Sequence, residues 1–260
     1  MPTYRHFVGR DAELDRFRQV LADPAGQAIL IVGPQGMGKT TLADRFLEIA
    51  REERQCPGVR YEVIRSDAPA VTMERILHNA HAVAQKDGSL SGSSHRKQQW
   101  EALFSVLPKG KELTQLFSTL RRDDKRPVRE QLVEVFHALS AALPEATRVL
   151  FLLDSEKYMH PESEEPWTVV VRDLPPRIKL LFAQRPDDVL ASSFEFGRLE
   201  NVVRIPGGRL EELDSEAVEE LIGLSQPGTK YSPEELSTHL AAADGHPYVV
   251  AGSFDLLLQG

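Results

Sequence analysis

Cysteine is nearly absent from this sequence. Cys56 is the only one among 260 residues, which rules out an internal disulfide and any multi-cysteine metal site; a reducing, cytoplasmic setting is expected. Long hydrophobic runs are missing too. The longest, AILIV from Ala28 and VLFLL from Val149, fall far short of the roughly 20 residues a membrane-spanning helix needs, so no membrane span is expected. The N-terminal MPTYRHFVGRD lacks the apolar stretch of a secretory signal. Positive charge is in deficit: 31 Lys and Arg stand against 39 Asp and Glu, for a formal charge of −8. An acidic balance argues against sequence-independent coating of nucleic acid, so any such contact must be regional. The rest of the composition, 41% hydrophobic and 27% charged, is globular, and the chain is long enough for one substantial core or a domain with an appendage.

Short apolar runs rich in β-branched residues alternate with longer stretches of helical spacing, the pattern of a parallel α/β sheet wrapped by helices. Five strands are expected: Gln27–Val32, Val59–Ile64, Arg148–Asp154, Ile178–Ala183 and Asn201–Ile205. The first, third and fourth are continuously apolar, as central strands are, while the second carries alternating charge like an edge. Leu14, Phe17 and Leu21 predict a helix over Asp11–Leu21. Further helices are expected over Lys97–Leu107, Lys109–Leu120 and Val128–Leu143, broken by Pro108 and Pro127, with Gly88–Ser94 as a flexible loop. Beyond the last strand, helices are expected over Leu210–Leu224, Pro233–Ala243 and Pro247–Leu258. The division is then an α/β domain over 1–207, with a helical insertion at about 66–146, and a small helical lid-like unit over 208–260.

Gly33 to Thr41 reads GPQGMGKTT, a GxxxxGK[ST] phosphate loop directly after an apolar strand and directly before the amphipathic run TLADRFLEIA, the context this motif requires. Gly33, Gly36 and Gly38 allow positive φ, so the N–H groups of Pro34–Gln35–Gly36–Met37–Gly38 and their neighbours (Pro34 itself having none) can converge on phosphate oxygens at a helix N-terminus. Lys39 would neutralise the β and γ phosphates, the Thr40 hydroxyl would ligate Mg²⁺, and Thr41 would cap the helix or touch the α phosphate. Such a loop needs a second strand that delivers a carboxylate to the magnesium shell. VLFLLD ending at Asp154 fits, since no other apolar run of the chain ends in an acid. The next position, where ATP hydrolases of this group place a second acid to polarise water, is Ser155; Glu156 follows one residue late. Glu156 is either the general base on a bulged strand end or a surface residue of a slow or inactive enzyme.

Together these segments resemble the STAND class of P-loop NTPases, which includes NB-ARC and NACHT proteins, and more distantly AAA+ ATPases. FVGRDAEL (Phe7–Leu14) is similar to the class's hhGRxxEL signature, which implies that Val8, Gly9 and Arg10 border the adenine. IKLLFAQRP (Ile178–Pro186) resembles its LLTSRP strand, which implies that Arg185 senses the γ phosphate. ADGHPYVV (Ala242–Val250) resembles its GxP motif, which implies that Pro247 packs on the adenine, and RLEELDSEAVEELI resembles the helix before that motif. The resemblance implies an ATP-binding, ATP-hydrolysing switch with ATP or ADP and Mg²⁺ as ligands, coupling nucleotide state to oligomerisation or signalling. Members of the class continue into a winged-helix domain and a sensing repeat array, so this chain is expected to be a piece of a longer protein or a minimal member that works through self-association or a separate sensor or effector protein.

Two other functions compete with the switch. Arg96, Lys97, Lys109, Lys111, Arg121, Arg122, Lys125, Arg126 and Arg129 make a locally basic stretch, the basis for an AAA+-like nucleic-acid-associated ATPase as the alternative. A solvated helical face is the simpler account of that stretch. The Ser155 position motivates a nonhydrolysing, nucleotide-held scaffold. A GTPase is disfavoured, because Thr229–Lys230 is followed by Tyr231 and Ser232 rather than by an acid that could read guanine. His78 and His81, three apart on an expected helix, have no further ligands nearby in sequence, so no metal but Mg²⁺ is assigned.

Overall fold

The computed structural model describes residues 7–54, 56–62, 69–84, 94–105, 125–154, 162, 164–206 and 210–225. In chain order the described elements are α1 (Asp11–Ala22), β1 (Gln27–Val32), α2 (Lys39–Arg54), β2 (Gly58–Glu62), α3 (Pro69–Ala84), α4 (Ser94–Ser105), α5 (Val128–Ala142), β3 (Val149–Asp154), α6 (Glu164–Arg172), β4 (Ile178–Gln184), α7 (Val189–Ser192), α8 (Phe194–Gly197), β5 (Val202–Arg204) and α9 (Ser215–Ser225).

The strands form one parallel sheet in the order β2-β3-β4-β1-β5. The three continuously apolar runs are its three central strands. β1 is buried from Ala28 to Val32, and β4 along its whole length, because helices cover both faces and leave no position solvated. All five expected strands are present; β4 runs one residue further than expected, to Gln184, and β5 is shorter.

Alternation along the strands sorts the core into two layers. Ile29, Ile31, Leu150, Leu152 and Leu181 pack with Leu14 and Phe17 of α1 and with Leu42, Phe46 and Ile49 of α2. The rings of Phe17 and Phe46 stack at 3.9 Å and join these two helices. Ala28, Leu30, Phe151, Leu153, Leu180 and Phe182 face the other way, onto α3, α5 and α6. There Trp167 and Phe196 meet Phe182 edge-on at 5.3 and 5.8 Å, fastening α6 and α8 to the central strand. α6 was not anticipated. Glu164 and Glu165 in its first turn and Arg172 in its last suit the helix dipole, but nine residues are too few for a strong periodic signal.

The N-terminal end of the sheet holds a buried cation. Lys179 is fully buried on β4; its ammonium donates to the Ala25 carbonyl at 2.8 Å and to Gln27 Oε1. Burial lowers its pKa to about 8, opposed by Asp23 and reinforced by Arg148. Cys56, also buried there, is pushed up to about 12 by the same desolvation.

One expected helix starts too early. Residues 210–214 are not helical, and α9 begins at Ser215. The N–H of Leu210 is taken by the Val32 carbonyl at 2.5 Å, and Asp214 Oδ1 accepts from Ala217 N at 2.8 Å, a side-chain cap that fixes the true start. The expected helices over Lys109–Leu120, Pro233–Ala243 and Pro247–Leu258 lie outside the described residues, as does nearly all of the Gly88–Ser94 loop. Among the described residues no helix is long and apolar enough to cross a membrane.

Candidate nucleotide site

The site lies at the C-terminal edge of the sheet, where open parallel sheets place their ligands. β1 enters the phosphate loop held on both sides. Gly33 N donates to Gln184 O of β4 at 3.1 Å, and Val32 O accepts from Leu210 N on the β5 side. Pinned in this way, the loop has a fixed point of departure.

Gly36 and Gly38 have φ of 84° and 80°, values that cost an L side chain roughly 1–2 kcal/mol each. A Cβ on Gly38 would meet nothing within 4 Å, so it is conformation, not space, that calls for glycine there. Gly33 differs from expectation: its φ is not positive, and its glycine is steric, because a Cβ would come 2.9 Å from Leu210 Cβ. Met37 is buried beneath the loop and Thr40 is exposed above it. Lys39 is the first residue of α2. Its ammonium donates to the Pro34 carbonyl at 2.6 Å, folding the side chain across the loop. Gly38 O accepts from Leu42 N at 2.8 Å and starts the helical ladder. The loop thus combines a run of backbone N–H groups, a lysine and a helix N-terminus, the combination that binds polyphosphate.

Register brings the other candidates to the same edge. Val32 pairs with Gln184, and Asp154 pairs with Ala183. Asp154 therefore ends β3 with only β4 between it and the phosphate loop. Arg185 is the first residue past β4, and its backbone is fixed by Asp188, which is buried and accepts Arg185 N on Oδ2 at 3.0 Å. Gln184 is fully buried and accepts Ala191 N on Oε1 at 2.9 Å, so the turn that presents Arg185 is tied down at both ends.

Val8, Gly9 and Arg10 reach this edge through the segment before α9. Gly9 has φ 65°, and a Cβ there would fall 2.5 Å from Ala217 Cβ and 3.2 Å from Leu213. Arg10 is buried; it donates to Glu211 O at 2.7 Å and pairs with Glu13 at 3.4 Å. Burial pulls its pKa down against the raising effects of Glu13, Asp214 and Glu211. Ser155, Glu156 and Pro247 lie outside the described residues, as do residues 106–124 of the basic stretch.

Magnesium fits these residues. Among the described residues no cluster of three or more His, Cys, Asp or Glu could cage a metal. By chemistry, a threonine hydroxyl and a strand-end carboxylate are the sparse kind of oxygen donors with which Mg²⁺ keeps waters and phosphate oxygens as its remaining ligands. Thr40 and Asp154 would supply those two donors.

No curated protein matches the chain. Among solved structures it is similar to the Orc1 protein of Aeropyrum pernix in complex with DNA, with a TM-score of 0.49 and 17% identity over 96% of this chain; it spans 60% of that protein's chain. The sequence profile of the AAA ATPase domain matches residues 6–165. This match covers more than half of the sequence, and the chain belongs to the AAA ATPase domain family.

Proposed function

We propose that this chain is a Mg²⁺-dependent, ATP-binding and ATP-hydrolysing molecular switch of the STAND type, built from the α/β domain of residues 1–207 and a lid-like unit over 208–260. The observation that carries the reading is Leu210. Its N–H holds the last carbonyl of β1 and its side chain fills the space over Gly33, so the segment leading to α9 rests directly on the phosphate loop. A change in what that loop holds has a short path to α9.

In this reading Gly33, Pro34, Gln35, Gly36, Met37, Gly38, Lys39, Thr40 and Thr41 cradle the phosphates. Val8, Gly9, Arg10 and Pro247 border the adenine. Arg185 reports the γ phosphate. Bound magnesium supplies charge neutralisation to the phosphates, held by Thr40 and Asp154. Lys39 offsets the charge that develops as water attacks in line. Glu156 is the water-activating acid that the sequence alone nominates. The output is self-association or engagement of a sensor or effector protein, rather than nucleic-acid binding.

The test is to denature the purified protein, identify any released nucleotide by chromatography, and follow phosphate release with Mg²⁺ and ATP. Recovered ADP or ATP with slow turnover is expected. Lys39→Ala should abolish nucleotide binding while leaving the fold intact, and Asp154→Ala should lower Mg²⁺-dependent affinity or turnover. Unchanged affinity in Lys39→Ala would sink the site assignment. Duplex-DNA binding that weakens steeply with salt would move the reading to a nucleic-acid-associated AAA+ ATPase.

A further inference from the structure

Past the end of β4 the chain makes a tight turn, Arg185–Pro186–Asp187–Asp188, whose last residue closes it twice. Asp188 N donates to the Arg185 carbonyl at 3.0 Å, and Asp188 Oδ2 accepts from Arg185 N at 3.0 Å. The N–H and the carbonyl of Arg185 are thus both engaged by one residue three places on. Pro186, exposed at the second position of the turn, presets the φ that such a turn needs there. Asp188 is 1% exposed, so water does not compete for its bond to Arg185.

The turn is anchored on both sides. Val32 pairs with Gln184, and Gly33 N donates to Gln184 O at 3.1 Å. Arg185 therefore leaves β4 beside the first residue of the phosphate loop, one strand spacing or about 4.8 Å away. On the other side, the Asp188 carbonyl accepts from Ser192 N and from Ser192 Oγ, each at 2.9 Å. Ala191 N donates to the buried Gln184 Oε1 at 2.9 Å, and the Ala191 carbonyl accepts from Arg204 Nη2 of β5 at 3.1 Å. These bonds hold Asp188 in place from α7 and β5. A turn with proline at its second position closes without a buried acid, and a carboxyl group is costly to bury. What the acid adds is a fixed position for the Arg185 backbone, through the strong kind of bond that an amide makes to a carboxylate.

We propose that Asp188 is a positioning residue for γ-phosphate recognition: by fixing the Arg185 backbone beside the phosphate loop, it sets the preference for ATP over ADP. The proposal rests on the switch reading above, in which Arg185 reports the γ phosphate, and names the residue that makes this report selective. Asp188 is buried and acts through Arg185, not on the nucleotide. On a loose turn both the backbone and the side chain of Arg185 would have to be ordered at each binding event. On a fixed turn only the side chain is, so contact with a third phosphate is made at a smaller entropic cost. ADP lacks that phosphate and gains nothing from the arrangement.

The experiment measures, with Mg²⁺ present, the affinity for ADP and for a non-hydrolysable ATP analogue by titration calorimetry, together with thermal melting. It compares wild type, Arg185→Ala, Asp188→Ala, Asp188→Asn, Pro186→Gly and the double variant Arg185→Ala/Asp188→Ala. Asp188→Ala should weaken the ATP analogue about tenfold and leave ADP within about twofold, on the scale by which a misplaced group loses its contact. Asp188→Asn, whose amide oxygen can accept the same N–H, should recover most of the preference. The double variant should bind the analogue as Arg185→Ala does, because a residue that acts through the arginine then has nothing left to position. A merely structural residue would instead weaken both nucleotides in parallel and add its effect to that of Arg185→Ala. Either result would overturn the proposal, as would an unchanged preference in Asp188→Ala or no recovery in Asp188→Asn. If Asp188→Ala shows no cooperative melting, Pro186→Gly decides, since it loosens the same turn from its exposed side. A preference lowered about threefold by the added chain freedom supports the proposal, and an unchanged one overturns it. An Arg185→Ala variant with wild-type preference sinks the sensor reading and Asp188 with it. If Arg185→Ala loses the preference and Asp188→Ala keeps it, only Asp188 falls. A wild type that binds neither nucleotide overturns both.

Discussion

Arg10 Nη2 donates a 2.7 Å hydrogen bond to the carbonyl of Glu211, 201 positions further along the chain. The bond ties the loop before α1 to the segment before α9, and because Arg10 is buried, water does not compete for it. Leu210, the residue before that carbonyl, is the one that caps β1. One arginine therefore holds in place the strap that lies on the phosphate loop.

Substituting Arg10→Gln should free that strap. A hydrogen bond from a charged donor contributes about 1.5–3 kcal/mol, and the variant also leaves Glu13 without its partner. Backbone amides of Glu211–Ser225 should exchange hydrogen faster, by roughly tenfold to a hundredfold, while those of β1 and β4 keep their protection. Unchanged exchange over 211–225 would mean that the bond does not hold the strap.

At Gly9 the expected result is a loss of stability with no loss of charge. Gly9→Ala meets both a positive φ, costing about 1–2 kcal/mol, and a methyl-sized overlap with Ala217, costing a further 1–3 kcal/mol or so. A fall in Tm of several degrees by differential scanning calorimetry is expected. A variant that melts with wild type would show that α9 is not seated on this loop.

The pH dependence of folding should carry the signature of Lys179. Its pKa is about 8 in the folded chain against 10.5 ordinarily. Between those values the unfolded chain binds more protons than the folded one, so unfolding free energy rises with pH through this window. Below pH 8 both states are charged and the group contributes no slope. In Lys179→Met the rise should be absent. Urea denaturation of both proteins at pH 7.5 and 10 checks this, and parallel changes in the two would refute it.

Cys56 should be inert in the native protein. With its thiol pushed up to about 12 and its side chain buried, almost no thiolate exists at pH 8. A colorimetric disulfide reagent should label it only after unfolding in guanidinium. Labelling of native protein at the rate of a free thiol would place Cys56 at an opening segment of the fold.

The periodicity of single segments carried much of the architecture. Continuous apolar runs announced β1, β3 and β4 as central strands, and the charged alternation of β2 announced an edge, because burial on one or both faces acts directly on residue choice. The phosphate loop was equally open to reading, since its glycines, lysine and threonine are needed at fixed offsets by local backbone geometry. Leu210 misled for a related reason. Its spacing to Leu213 and Leu224 suits a helix, but its N–H answers to Val32, a partner nearly 180 residues away.

Strand order is invisible to periodicity, and with it the neighbours that matter for chemistry. That β4 separates the phosphate loop from the end of β3, and that Gly33 is glycine for the sake of Leu210, both depend on contacts across the sheet edge. Nothing in the run from Ile178 to Gln184 tells how the ammonium of Lys179 is satisfied until the turn at Ala25–Gln27 closes over it. Local chemistry can be written in a short segment because the backbone imposes it there. Register and the company a side chain keeps are set by the packing of distant segments, and that exists only once the chain has folded.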